Sequence, residues 1–322
     1  MKTTIAELTT SILNGRRIKR GDDLSVFLSA PLYELQQGAG RLQDHFCGKH
    51  IDFCTIINGR SGRCGENCRY CAQAACHHTD IEEYGFLPKK EIIDNARANQ
   101  EAGANRFAIV TSGRALIGED FEKALDTYRT MRDTLRIDLC ASHGLLNREQ
   151  FRRLHEAGVT SYHHNIETSR RFFPEICTSH TYEDRIHTIK IAQQEGFCVC
   201  SGGIIGMGET WEDRLDMAIS LAELGIESIP INALMAIPGT GMENRPALPA
   251  EDILRTIAFF RFINPTANIR LAAGRKLLPE NGATAFRTGA SASITGNMLT
   301  TSGTTIVEDM AMLKKLGLTN RN

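Results

Sequence analysis

The sequence predicts an eight-stranded parallel (β/α)8 barrel of the TIM type, preceded by a helical N-terminal extension. From residue 51 onward, eight short β-branched or apolar runs alternate with amphipathic helical segments, the pattern of a parallel sheet closed on itself. Several of those helical segments end in glycine, at Gly103, Gly158, Gly196 and Gly225, the residue a helix C-terminus favours. The alternative is an open doubly wound sheet. The count of eight runs and the lack of a GxGxxG turn after the first favour the barrel.

Residues 1–46 read as the helical extension, because Ile5, Leu8 and Ile12, then Leu24, Phe27 and Leu28, then Leu32 and Leu35 recur at three- and four-residue steps. Residues 47–322 read as the barrel. Its expected strands are IDFCTII, RFAIVTS, IDLCAS, TSYHHNI, FCVCSGG, IESIPIN, NIRLAA and a weaker GASASI. Between them lie KKEIIDNARANQEAG, NREQFRRLHEAG, TYEDRIHTIKIAQQEG, TWEDRLDMAISLAELG and PAEDILRTIAFFRFI as helices. Chemistry in such a barrel belongs at the C-terminal ends of the strands.

The chain has 322 residues, 42% hydrophobic and 23% charged, with a formal net charge of −1, a globular composition with ample length for a large core. That balance gives no electrostatic argument for nucleic acid or an anionic membrane surface, and no run is long enough to span a bilayer. Charges interrupt the first residues too early for a secretory signal. Ten cysteines in such a chain point to a reducing cytoplasm, where thiols serve metals or chemistry.

After the first strand comes RSGRCGENCRYCAQAAC, with Cys64, Cys68 and Cys71 in a CxxxCxxC spacing on one glycine-containing loop. Thiolates are the usual ligands of iron–sulfur clusters, and three ligands leave one iron of a cubane open. A structural zinc site, with Cys76, His77 or His78 as fourth ligand, is the competing reading. It is disfavoured because zinc knuckles usually pair two CxxC halves. Tyr70 stands just before the third cysteine.

This loop, placed after the first strand of a barrel, resembles the radical S-adenosylmethionine superfamily. The resemblance implies a 4Fe–4S cluster whose open iron chelates the methionine amine and carboxylate, and whose reduction yields a 5′-deoxyadenosyl radical. It implies contacts to S-adenosylmethionine from Tyr70 in the cysteine loop and from Asn165 and Glu167 in HHNIETS. Arg185 in TYEDR would take the methionine carboxylate, and Ile204 in SGGIIGMGET the adenine. Gly202 and Gly203 of that last segment would let backbone approach the ligand. From the residues alone, Asn165 and Glu167 also read as a strand-end polar pair, and Arg185 as a solvated helix arginine.

Within that superfamily the chain resembles the biotin synthases over roughly residues 40–318, through CGENCRYCAQ, HHNIETS, CSGGIIGMGET, ESIPINAL, IRLAAGR, NMLTTSG and KKLGL. The resemblance implies insertion of sulfur into dethiobiotin, with the sulfur supplied by an auxiliary iron–sulfur cluster deep in the barrel. Asn165 and Asn232 would bind the ureido ring. Thr300 and Thr301 would hold the carboxylate tail, although threonines also cap helices. A homodimer, a flavodoxin- or ferredoxin-type electron donor and iron–sulfur assembly machinery are further implied partners.

Two departures matter. The familiar auxiliary 2Fe–2S cluster takes cysteines from strands two, three and five plus an arginine. Cys140, Cys200 and Arg270 match, but the second-strand position is Ala108, which cannot ligate iron. Cys54 on the first strand is the expected replacement, with a plain core cysteine as the alternative: if Asn58 points into the barrel, alternation turns Cys54 inward too, and a closed barrel brings it near Arg270. Cys198, on the same face as Cys200, is the reserve candidate. Cys47, Cys76 and Cys177 are taken as structural. Three inward cysteines suit a four-iron auxiliary cluster carrying an extra sulfide, with Arg270 as a nearby charge and not a ligand. The second departure is His163, where a substrate-binding asparagine is expected; an imidazole still donates or accepts one hydrogen bond.

Other radical enzymes on the same frame, of the hydrogenase-maturation or methylornithine-forming type, share the cysteine loop. They do not account for LTTSG together with IRLAAGR and the inward cysteines. A non-catalytic zinc-binding protein is the rival from outside the enzymes.

Overall fold

The computed structural model describes residues 3–296 and 303–320. Helices α1 (Ile5–Leu13), α2 (Ser25–Ser29) and α3 (Leu32–Phe46) precede strand β1 (His50–Arg60). There follow α4 (Lys89–Glu101), β2 (Arg106–Thr111), α5 (Gly118–Thr134), β3 (Asp138–Ser142), α6 (Arg148–Glu156) and β4 (Ser161–His163). Next are α7 (Tyr182–Gln194), β5 (Cys198–Cys200), β6 (Gly203–Ile205), α8 (Trp211–Glu223) and β7 (Ser228–Ala233). The chain closes with α9 (Ala250–Ile263), β8 (Asn268–Leu271), β9 (Ala292–Ile294), α10 (Ile306–Leu316) and β10 (Thr319–Asn320).

Each strand pair is parallel, and the sheet closes because β9 returns to β1, with Asp52, Phe53 and Cys54 opposite Ala292, Ser293 and Ile294. The barrel order is β1-β2-β3-β4-β5-β7-β8-β9, so all eight expected runs contribute a strand. This is the TIM-type barrel. The fifth run breaks in two: β5 meets β7 at Cys200 and Ser228, and β6 resumes the pairing from Gly203. The short β10 pairs with the start of β1 and had no periodic signal to announce it.

Local chemistry explains the helix ends. Thr4, Asn147, Thr181, Thr210 and Thr305 each cap a helix through a reciprocal box with Glu7, Gln150, Asp184, Asp213 and Glu308, which occupies two otherwise orphaned amide donors. The four helix-ending glycines all take positive φ, between 65° and 99°, where a side chain would be strained. Residues 14–24 interrupt the expected N-terminal helical run. α3 packs against α9, and Gly38 is needed at that crossing, since a Cβ there would lie 2.5 Å from the Phe262 ring.

Candidate active site

The loop after β1 carries Cys64, Cys68 and Cys71, and it is folded back on itself. The Cys64 amide donates to the Gln73 carbonyl at 3.0 Å, the Ala75 amide to the Cys64 carbonyl at 2.8 Å, and the Cys71 amide to the Cys68 carbonyl at 3.0 Å. Its outer side is stapled to the segment before α7: the Arg69 amide donates to the Ile176 carbonyl at 2.9 Å, and Asn67 Oδ1 accepts from the Thr178 and Ser179 amides at 3.0 Å. Three thiols are thus held above the C-terminal mouth of the barrel.

Below them lies a cavity of about 350 Å³, within the range of small-molecule sites. Tyr70 and Cys71 border it at the top, and Cys54, Cys140 and Cys200 line its depth. Ala108 pairs in register with Cys140 and is buried between the Cys54 and Cys140 positions. Cys198 does not line the cavity; it sits at the start of β5, half-buried, and its thiol donates to Glu227 Oε2 at 3.4 Å.

The floor is charged. Arg270 is 2% exposed, and its Nη2 donates to Asp52 Oδ1 at 2.8 Å. Nη1 donates to the Asp52 and Ser293 carbonyls at 3.1 and 3.0 Å, and Nε to Ser228 Oγ at 3.3 Å. Four of the five guanidinium N–H groups are thus bonded to protein, although Arg270 still borders the cavity. Arg106, two residues before Ala108, also reaches Asp52 at 3.4 Å, yet its Nε is buried with no partner among the described residues. Asp52 is the one buried carboxylate shared by the two arginines, the second partner of Arg106 being the exposed Asp138 at 3.7 Å, and an unpaired buried N–H suits a sulfide or thiolate acceptor. An anionic cluster fits this donor set.

Burial pushes the Cys54 thiol up to about 11, with Arg270 and Arg106 pulling the other way. Burial, reinforced by Cys54, pushes Cys140 well up. Burial acts on Cys200 as well, but a hydrogen bond to His163 and the charges of His163 and Arg270 outweigh it and bring Cys200 down to about 7. His163, opposite Cys200 in register, faces that thiol and the same cavity. Its nearest chemistry is thus the cysteine as much as a substrate.

The upper wall holds the residues assigned to S-adenosylmethionine. Asn165 and Glu167 lie beyond the end of β4, so strand alternation does not orient them; they meet directly, Asn165 Nδ2 donating to Glu167 Oε2 at 3.3 Å. Glu167 takes φ of 70°, a conformation unusual for a non-glycine residue and of a kind that clusters at functional sites. Arg185 is buried on α7, not solvated. Its Nη1 donates to the Asn165 carbonyl at 2.8 Å and to Glu167 Oε1 at 3.3 Å, and its Nε to His180 Nε2 at 3.0 Å. Ile204 lines the cavity.

Gly202 and Gly203 correct the expectation. They do not line the cavity: a Cβ on Gly202 would lie 1.9 Å from the Pro230 carbonyl oxygen, and one on Gly203 2.2 Å from that of Glu167. The close approach they permit is to the protein's own backbone. Asn232 lines the cavity, but its Nδ2 donates to the Gly203 carbonyl at 3.1 Å and its Oδ1 accepts from the Ala273 amide at 3.2 Å. One N–H and one lone pair remain to it. Thr300 and Thr301 lie outside the described residues.

Sequence reading also overlooked partners of the cysteine loop. Cys177, taken as structural, has its Sγ 3.7 Å from that of Cys68. Cys68, Cys177 and His180 are the one trio of metal-ligand type, among the described residues, whose ligand atoms all lie within 4.8 Å of one another. Arg106, Asp52 and Glu66 were missed too. The capped TSHTYED stretch was the only signal near Cys177 and His180; nothing in spacing links residues so far apart.

Fold and cysteine loop together define a radical S-adenosylmethionine barrel. The Radical SAM superfamily model matches residues 60–221, and the Biotin and Thiamin Synthesis associated domain matches residues 230–319. The chain belongs to the biotin synthase family. It is 56% identical over 313 residues to a biotin synthase of Alkaliphilus metalliredigens, covering 97% of this chain and 98% of that one. It is 54% identical over 311 residues to one of Clostridium beijerinckii, with 97% and 98% covered. The crystal structure of a methylornithine synthase superposes with a TM-score of 0.85 over 98% of this chain and 97% of that one, at 16% identity, a likeness of fold.

Proposed function

We propose that this chain forms biotin by inserting sulfur into dethiobiotin, with a 4Fe–4S cluster on Cys64, Cys68 and Cys71 and an auxiliary four-iron cluster with an extra sulfide on Cys54, Cys140 and Cys200. The observation that carries this reading is the cavity that Cys71 of the loop borders at its mouth and that Cys54, Cys140 and Cys200 line at its depth, while Cys64 and Cys68 face an adjoining pocket that also holds Cys71. When bound, the first cluster with S-adenosylmethionine supplies a carbon radical that removes hydrogen from substrate, and the second supplies the sulfur atom.

The chain's own residues bind and orient. Arg185 spends Nε and Nη1 on His180, Asn165 and Glu167; Nη2 carries no bond to the described residues and is assigned to the methionine carboxylate. Glu167 and Asn165 present their remaining lone pairs and N–H groups to the ribose diol, and Tyr70 and Ile204 exclude water beside it. Asn232 turns its spare N–H and lone pair to the ureido ring, and Thr300 and Thr301 take the carboxylate tail. Arg270 and Arg106 hold positive charge beneath the auxiliary cluster. The four-iron reading is favoured over the 2Fe–2S alternative with an arginine ligand, because Arg270 spends four of its five N–H groups on Asp52, Ser228 and Ser293.

The reading extends to a cytoplasmic homodimer reduced by a flavodoxin- or ferredoxin-type donor and loaded by iron–sulfur assembly machinery. No helix among the described residues is long and apolar enough to cross a membrane. The test is biotin formed from dethiobiotin by anaerobically reconstituted protein with a reductant, alongside iron and acid-labile sulfide counts. About eight irons per chain are expected from two four-iron clusters. A total near six, or turnover of another substrate without biotin, would overturn it.

A further inference from the structure

Cys177 is brought to the cysteine loop from a distance of 109 residues. The staples between Asn67, Arg69 and the 176–179 segment hold it there. Its Sγ lies 3.7 Å from Cys68 Sγ, 3.5 Å from both Asn67 Oδ1 and Ser179 Oγ, and 3.3 Å from His180 Nδ1. Both sulfurs are buried.

Hydrogen-bond bookkeeping fixes the direction of these contacts. The Arg185 Nε–H can only donate, so His180 Nε2 accepts at 3.0 Å and the imidazole proton sits on Nδ1. Nδ1 faces Glu66 Oε2 at 2.5 Å and Cys177 Sγ, so His180 is a donor toward both. Glu66 is itself fixed by Ser179 Oγ at 2.5 Å and Arg114 at 3.3 Å. Once Cys68 carries iron its sulfur has no proton and is an acceptor only. The one proton left between the two sulfurs is that of Cys177; its other acceptor, Asn67 Oδ1 at 3.5 Å, already takes the Thr178 and Ser179 amides at 3.0 Å, which leaves the thiolate of Cys68 as the stronger acceptor.

We propose that Cys177 is a positioning residue for the cluster on Cys68: its S–H donates a hydrogen bond to the iron-bound sulfur of Cys68, held in place by His180 and Glu66, and raises the cluster's reduction potential. The inference rests on the reading of Cys68 as a cluster ligand. Its physical basis is that a hydrogen bond to a ligating sulfur stabilises the more negative, reduced cluster, and such bonds are among the factors that set these potentials. The chain Arg185–His180–Cys177–Cys68 also ties the arginine assigned to the methionine carboxylate to a cluster ligand.

The test is a potentiometric titration of anaerobic holoprotein with dithionite and mediators. It follows the EPR signal of the reduced cluster that changes when S-adenosylmethionine is added. Cys177→Ala and the bulkier Cys177→Val remove the donor and should lower the midpoint potential by about 59 mV, a tenfold weaker one-electron reduction, with iron content unchanged. Cys177→Ser keeps an O–H donor and should stay near the parent value. An unchanged potential in both apolar variants overturns the proposal. So does an equal drop in the serine variant, or a loss of iron in the apolar variants, which would make Cys177 a ligand. A parent protein with no S-adenosylmethionine-responsive cluster would instead overturn the proposed function itself.

Discussion

Arg270 Nη2 stands 2.8 Å from Asp52 Oδ1 across the seam where β8, β9 and β1 close the barrel, with both side chains almost wholly buried. The pair crosses 218 residues of sequence and sits directly beneath Cys54. The pair favours a structural role for the arginine over ligation. Arg270→Ala should therefore leave the iron content near that of the parent protein. Stability should fall by about 3–5 kcal/mol, because the Asp52 carboxylate is left buried without its main partner. Iron counts with urea unfolding measure both, and loss of half the iron would make Arg270 a ligand after all.

Cys54 and Cys198 compete for the third position of the auxiliary site, and the geometry separates them. Cys54→Ala should cut iron from about eight to about four per chain and abolish biotin formation. Cys198→Ala removes a thiol bonded to Glu227 outside the cavity and should leave both within twofold. The reverse pattern would assign the ligand to Cys198.

Ala108 faces the cavity opposite Cys140. Ala108→Cys adds a fourth thiol to the cluster's surroundings. Iron should stay near about eight per chain, while a thiolate closing the open iron should lower sulfur transfer at least about tenfold, since it takes the coordination position assigned to the extra sulfide. Undiminished biotin formation would argue against an open iron.

His143 is wholly buried beside the barrel. Burial, aided by the Arg60 charge, pushes its imidazole down to about 3. Tyr128 O–H donates to the Cys140 carbonyl at 3.2 Å and so accepts from His143 Nε2–H at 3.0 Å, while the Thr111 hydroxyl donates to Nδ1 at 3.0 Å. The neutral ring satisfies both nitrogens. The folded value lies below the ordinary one of about 6.5, so between the two the unfolded chain binds more protons and stability rises with pH. The contribution is complete above about pH 6.5 and is lost as pH falls toward 3, with a ceiling of about 5 kcal/mol. His143→Gln should flatten that slope relative to the parent in urea unfolding at stepped pH; parallel slopes would count against it.

Much of the architecture was legible because barrel strands are short, apolar and separated by helices whose caps and terminal glycines are local signals. The strand break after Cys200 was not legible, since Gly202 and Gly203 answer to carbonyls of Pro230 and Glu167 on other segments. Asn165 and Glu167 read as a strand-end pair and do meet at 3.3 Å, but β4 ends at His163 and Glu167 takes a positive φ that no strand pattern announces. Arg185 read as solvated because helical spacing carries no information about the carboxylate and imidazole that bury it.

The sequence by itself determined the barrel, the three-cysteine loop and the absence of a second-strand cysteine at Ala108, because each is written in consecutive residues or in a period. Only the tertiary structure decided that Cys54 shares a cavity with Cys140 and Cys200, that Arg270 belongs to Asp52, and that Cys177 touches Cys68. Those relations depend on closing the sheet between its last strand and its first and on folding one loop against another. Ring closure and loop contact bring together residues far apart in the chain, 109 positions for Cys68 and Cys177 and 218 for Asp52 and Arg270, and no local pattern encodes such distances.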